Sequence, residues 1–134
     1  MDFEKIVKIA ELAGEAILEV YNKSGDIKIE HKGDNSPLTE ADLAAHNIIV
    51  EELKKIDNTP IVSEEGNEGN PLSSDTCWLV DPLDGTKEFI KRNGMFTVNI
   101  ALMSRKKNRW SPLFGVVHAP VSYTHLTLPT ILLV

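Results

Sequence analysis

Two short acidic segments dominate the chemistry this sequence can offer. One is Ser63-Glu64-Glu65 and the other is Asp81-Pro82-Leu83-Asp84-Gly85-Thr86. Each follows directly on an apolar stretch, Ile61-Val62 before the first and Cys77-Trp78-Leu79-Val80 before the second. A strand that runs into a tight turn holds carboxylates at fixed positions. Several carboxylates held together repel one another and stay ionised only beside a compensating cation. Hard oxygen ligands select magnesium, manganese or calcium over soft metals. Cys77 and the histidines His31, His46, His118 and His125 lack zinc spacing, which argues against a zinc site.

The second segment has a logic of its own. Pro82 restricts the backbone after Asp81. Asp84, three residues on, can turn back toward the same point, and the Leu83 carbonyl can add a neutral oxygen. Gly85 and Thr86 open a short helix whose free N–H groups suit a phosphate. The bland alternative is that these acids only cap turns and helix ends, and for Glu65 alone that alternative stays open.

The elements that must position these groups can be read from periodicity. Apolar residues at Ile6, Ile9, Ala10, Ala13, Ile17, Val20 and Tyr21 form one helical stripe, with Asp2 as its cap. Residues 22–26 read as a stop, with Gly25 available for a positive φ. Alternation over 27–31 predicts a half-buried strand, and 33–37 a turn-rich loop. A second helix is expected from Thr39 to Ile56, with a Thr39/Asp42 capping box and Leu43, His46, Ile49, Val50, Leu53 and Ile56 along one face. Residues 61–63 form a short strand and 67–75 a surface loop. The unbroken run at 77–80 predicts a strand buried on both faces and ending at Asp81. A short helix over 84–92, a strand over 96–102, a basic turn at 105–109 and a strand over 114–119 complete the reading.

The bulk composition narrows the function classes. The chain has 134 residues, 42% of them hydrophobic and 25% charged, which suits one soluble domain or part of a larger one. A net charge of −6 speaks against a broad grip on nucleic acid, although a bound cation lets an acidic surface hold a small anion. The single cysteine cannot form an intramolecular disulfide, as suits a reducing compartment. Asp2 and Glu4 stand where a leader would be basic. No apolar run approaches the roughly 20 residues that span a bilayer. A cytoplasmic protein without stable membrane insertion is expected.

The hexapeptide Asp81 to Thr86 resembles the Asp-Pro-(Ile/Leu)-Asp-Gly-Thr signature of the inositol monophosphatase superfamily at every position. Ser63-Glu64-Glu65 is similar to that family's upstream metal-binding segment, and residues 32–42 to its first loop and second helix start. Lys-x-Asp-x-Ser-Pro-Leu-Thr at 32–39, Trp78-Leu79-Val80, Thr86-Lys87-Glu88-Phe89 and residues 96–102 resemble its CysQ-type 3'(2'),5'-bisphosphate nucleotidase branch. The resemblance runs from the N-terminus to about Pro120.

This resemblance implies a layered α/β fold: a helix pair packed on a mixed, largely antiparallel sheet, the N-terminal portion of an αβαβα sandwich. It implies that Glu64, Asp81, the Leu83 carbonyl and Asp84 bind magnesium, and that Asp42 and Thr86 form a pair activating the attacking water. The Gly85 and Thr86 amides would hold the phosphate, with Glu64 and Asp84 near it. Glu65 would support a metal-bound water, and Lys32 and Asp34 would belong to a mobile loop near a further metal. Plainer readings remain for two of these: Asp42 as a capping-box residue and Lys32 as an exposed strand-end charge. Ser36 reads as a turn residue, the four histidines as structural, Trp78 and Phe96 as core, and Arg105-Lys106-Lys107 as a solvated turn.

The implied reaction is magnesium-dependent hydrolysis of a phosphate monoester, without a covalent intermediate and with lithium inhibition. The implied substrate is a bisphosphate nucleotide, adenosine 3',5'-bisphosphate giving AMP. The competing readings are an inositol monophosphatase and a fragment that binds metal without turnover. The chain departs from the family in length, about half the usual. It lacks the later Trp-Asp-x-Ala segment that carries another metal-binding Asp. Residues 1–121 read as part of the phosphatase domain. Residues 122–134 read as a tail outside the family, from a frameshift, an assembly error or appended sequence. On that reading the strands at Phe96 and Phe114 would lose neighbours, leaving apolar edges, low stability and weak or no activity.

Overall fold

The computed structural model describes residues 2–23, 28–33, 37–122 and 124–127. Apolar positions three and four apart build α1 (Phe3–Tyr21), and they bury Ile6, Ile9, Ala10, Ala13, Ile17 and Val20. Asp2 caps it by accepting from the Glu4 amide at 3.1 Å. The second helix, α2 (Glu40–Ile56), starts at a Thr39/Asp42 capping box. Among the described residues no helix is long and apolar enough to cross a membrane.

Five strands form the main sheet in sequential order. They are β3 (Ile61–Ser63), β4 (Thr76–Asp84), β5 (Thr97–Lys106), β6 (Arg109–Ala119) and β7 (Thr124–Thr127). The β3–β4 pair is parallel and the other three pairs are antiparallel, so the sheet is mixed and largely antiparallel as expected. A separate two-stranded ribbon joins β1 (Ile29–His31) to β2 (Pro37–Thr39). The two long helices pack on each other and on the sheet, α1 against β5 and β6 and α2 against β4. Trp78, Val80, Val98, Ile100, Phe114 and Val116 join the helix stripes in one buried cluster. Each such side chain contributes about 1.5–3 kcal/mol relative to exposure. A short helix, α3 (Thr86–Ile90), is anchored by fully buried Phe89, which packs with Tyr21 and Phe96.

Several expectations are corrected. The run at 77–80 is not buried on both faces, because the helices cover only one, and Leu79 is 48% exposed. The strand does not end at Asp81 but continues to Asp84 through an irregularity. The first short strand is exposed along its length, Ile29 at 43%, since it pairs only with β2; Pro37 belongs to that partner rather than to a loop. On α2 the buried face is Ala41, Asp42, Ala45, Ile49, Val50 and Leu53, whereas Leu43 and Ile56 are 42% and 36% exposed. The face is rotated because Asp42 is drawn inward by hydrogen bonds. The helix expected over 84–92 occupies only Thr86–Ile90. The strands at Phe96 and Phe114 do not lose their neighbours. β5 lies between β4 and β6, and β7 pairs with β6, Leu126 opposite Val117. Gly25, Ile27, Asp34 and Ser36 lie outside the described residues.

The contact of α1 with β6 is tight at one glycine. A Cβ on Gly14 would stand 2.9 Å from the His118 ring and 3.1 Å from Pro120 Cγ. Alanine gains up to about 1 kcal/mol of helix propensity, against an overpacking cost of about 1–3 kcal/mol. Gly14→Ala is therefore expected to lower stability, read as a lower urea midpoint; an unchanged or higher midpoint would show that this approach is not close.

Candidate metal and phosphate site

The two acidic segments meet because their strands are parallel neighbours. Ser63 is in register with Val80, and the Glu64 amide donates to the Val80 carbonyl at 3.2 Å. Glu64 and Asp81 therefore stand side by side at the carboxyl end of the parallel pair, the usual place for a ligand in parallel α/β pairing. Side chains alternate across a strand. Ser63 accordingly turns toward α2, and Glu64 turns toward the uncovered face.

The spacing of Asp81 and Asp84 needs a further device. Residues three apart on a regular strand face opposite sides. Here Asp81 pairs with Asn99 and Asp84 with Thr97, so Pro82 and Leu83 together oppose Val98 alone. That is a β-bulge, one extra residue on one strand. It brings Asp81 and Asp84 to the same face as Asn99 and Thr97, and it tolerates a proline inside the sheet. Leu83 is buried, and the chain then turns at Gly85 with φ +94°. A side chain at Gly85 would be strained there and would meet the Met95 carbonyl at 3.0 Å.

Glu64, Asp81 and Asp84 line one open groove of about 470 Å³, whose floor is the uncovered sheet face around Leu79, Ala101, Gly115 and Val117. Burial raises the Asp81 carboxyl to about 6, and the charges of Asp84, Glu64 and Glu65 push the same way, with Lys32 opposing. Among the described residues no three His, Cys, Asp or Glu side chains are closed into a metal cluster. The carboxylates share a groove and repel across it without converging on a point. Three carboxylates are a hard, anionic donor set, and that chemistry fits a magnesium-type cation.

Asp42 is fully buried and both its oxygens are engaged. Oδ2 accepts from the Thr39 amide at 2.9 Å and from Thr39 Oγ1 at 2.6 Å. Oδ1 accepts from Thr86 Oγ1 at 2.9 Å, across 44 residues of sequence. The capping-box reading and the pairing with Thr86 are thus both present in one side chain. Thr86 Oγ1 also lies 3.4 Å from the Leu83 carbonyl.

Glu65 turns away from the groove toward Lys32, whose Nζ donates to Oε1 at 2.8 Å with the carboxylate side chain only 5% exposed. Burial works against the Lys32 charge, but the hydrogen bond and charge of Glu65, with Asp42 and Glu64 behind it, hold the ammonium above its ordinary range. Lys32 is therefore no free strand-end charge. Asp34 lies outside the described residues.

One pair was missed by sequence reasoning. His46 Nδ1 stands 2.8 Å from Ser63 Oγ, which in turn accepts from the Glu65 amide at 3.3 Å. Burial holds the His46 imidazole below its ordinary range, against the pull of Glu65 and Glu68. The available signal was its place four residues after Asp42, one turn along the same helix face.

Comparisons with known proteins agree with this geometry. The inositol monophosphatase family model matches residues 3–129. The 3'(2'),5'-bisphosphate nucleotidase CysQ of Escherichia coli strain K12 is 47% identical over 121 residues, covering 88% of this chain and 48% of that protein. The protein of the same name from Buchnera aphidicola is 44% identical over 120 residues, 87% of this chain and 44% of its own length. Among solved structures, CysQ from Bacteroides thetaiotaomicron, titled a bacterial member of the inositol monophosphatase family, superposes with a TM-score of 0.75 at 43% identity, over 94% of this chain and 45% of that one. The suppressor protein SuhB from Bartonella henselae superposes with a TM-score of 0.83 at 29% identity, over 95% of this chain and 48% of that one. The chain spans about half the length of the relatives it matches. A matching hexapeptide, a matching sheet and a family model that covers nearly every residue lead to one conclusion: this chain belongs to the inositol monophosphatase family.

Proposed function

We propose that the chain carries the metal- and water-handling groups of a magnesium-dependent 3'(2'),5'-bisphosphate nucleotidase, which releases the 3'-phosphate of adenosine 3',5'-bisphosphate to leave AMP. The observation that carries this reading is the common groove of Glu64, Asp81 and Asp84 beside the Asp42–Thr86 hydrogen bond. The choice of a nucleotide over an inositol phosphate is supported by the names of the relatives at 47% and 44% identity.

Glu64, Asp81, Asp84 and the Leu83 carbonyl would hold magnesium. Bound there, the ion supplies charge neutralisation for the phosphate and lowers the pKa of water. Thr86 Oγ1 donates to Asp42, and its lone pairs would accept a proton from water. As water attacks phosphorus, its proton passes to the Thr86 oxygen and the Thr86 proton to Asp42. The bond from phosphorus to the 3'-oxygen breaks, that oxygen leaves as the ribose hydroxyl by taking a proton from solvent water, and the proton held by Asp42 returns to solvent. The amides of Gly85 and Thr86 would receive the phosphate oxygens. The Glu65–Lys32 ion pair would steady the wall of the site.

Three outcomes are expected. Phosphate release from adenosine 3',5'-bisphosphate should need magnesium, stop with EDTA and exceed release from inositol 1-phosphate; equal release with and without EDTA would sink the metal mechanism. Thr86→Val keeps the shape of the side chain and removes the hydroxyl, so turnover should fall by about 10²–10⁴ while calorimetric magnesium affinity stays close to that of the unsubstituted chain. The third concerns pH. The Asp81 carboxyl is raised from its ordinary 3.8 to about 6, so its contribution to stability is present below pH 3.8 and is lost as pH rises through about 6. Added magnesium should therefore raise the melting temperature more at pH 7.5 than at pH 5, and a magnesium effect that does not grow with pH would contradict this assignment.

A further inference from the structure

We infer that His46, acting through the Ser63 hydroxyl, is a positioning residue that holds the Glu64–Glu65 turn in place for the cation; this rests on the function proposed above. The turn needs such support. It leaves β3, a three-residue strand at the sheet edge, paired on one side with β4 and on the other only with the single bridge from Ile61 to Glu68. A short edge strand by itself leaves the residues beyond it loosely held.

The hydrogen bonds around Ser63 add to the hold that the Glu64 amide on the Val80 carbonyl and the Glu65–Lys32 ion pair give this turn. Its side chain is buried on the helix side of the sheet. Its hydroxyl accepts from the Glu65 amide and stands 2.8 Å from His46 Nδ1, within hydrogen-bond distance. The backbone of Ser63 is held as well, its amide donating to Asn67 Oδ1 at 3.1 Å and its carbonyl accepting from the Gly66 amide at 3.2 Å.

The placement on α2 gives the contact its meaning. Asp42 and His46 lie one turn apart, and each reaches a different acidic segment. Asp42 bonds Thr86 at the start of α3, just beyond β4, and His46 bonds Ser63 at the end of β3. One rigid helix thereby sets the position of the two turns relative to each other. Groups that orient metal ligands in this indirect way commonly change metal affinity by about 10–100-fold when removed.

The test is calorimetric titration of the 134-residue chain with magnesium chloride, paired with melting temperatures in EDTA. His46→Phe keeps an aromatic ring and removes the hydrogen-bonding nitrogen; it should weaken magnesium binding about tenfold or more with little change in the EDTA melting temperature. His46→Asn, whose Oδ1 can stand where Nδ1 stood, should restore most of the affinity. Ser63→Ala should weaken binding as His46→Phe does, and the double variant should be no worse than either single one, since both remove the same link. Unchanged affinity in both single variants, or losses that add in the double variant, would overturn the positioning role. If His46→Phe does not fold, Ser63→Ala and His46→Asn decide the matter alone. If the unsubstituted chain itself takes up no magnesium, the functional reading falls first and this role falls with it.

Discussion

The acidic site depends on one extra residue in β4. Without the bulge at Pro82 and Leu83, Asp81 and Asp84 would point to opposite faces of the sheet and could never face a common ligand. With it, two carboxylates three residues apart fall on one face, and the parallel neighbour β3 adds Glu64 beside them. The extra residue also explains a proline within an interior strand and a glycine just after it. Pro82 sits where the ladder is already interrupted, and Gly85 takes the left-handed backbone that lifts the chain off the sheet into α3. Phe89 then locks that short helix into the aromatic cluster with Tyr21 and Phe96, so the far side of the turn is held by the core.

Like charges gathered in this way are unfavourable on their own, and the rest of the site is arranged around that fact. Lys32, from the end of the β1–β2 ribbon, neutralises Glu65 and leaves Glu64, Asp81 and Asp84 to face the groove. The elevated Asp81 carboxyl is the local record of that repulsion combined with burial. Hydrogen bonds from α2 reach both acidic segments, which keeps the repelling groups from drifting apart.

Much of this was legible in the sequence, and the exceptions have physical causes. The α1 stripe was read residue by residue because its periodicity is unbroken and it packs on one face only. The buried face of α2 differs by part of a turn from the one hydropathy suggests, because hydropathy assigns Leu43 to the core, whereas the three hydrogen bonds of Asp42 turn its side of the helix inward. Cys77 to Val80 reads as apolar throughout, and nothing within four residues says that only one side of the sheet is covered, so Leu79 was misplaced. The hexapeptide was readable because its ligands are consecutive, although the bulge that makes them useful has no separate signature beyond Pro82. For the His46–Ser63 contact the sequence offers only the place of His46 one turn after Asp42; its partner is settled by how α2 meets the sheet.

Asp42 ends up serving three donors with two oxygens: a backbone amide, the hydroxyl of its own capping partner and the hydroxyl of Thr86. An amide side chain at this position would have to present one edge as a donor and so would lose one of these partners, and a longer acid would overshoot the first turn of the helix. The same carboxylate therefore starts α2 and tethers the opening residue of α3. Folding economy and chemistry are welded at this point, so drift at position 42 cannot loosen one without loosening the other.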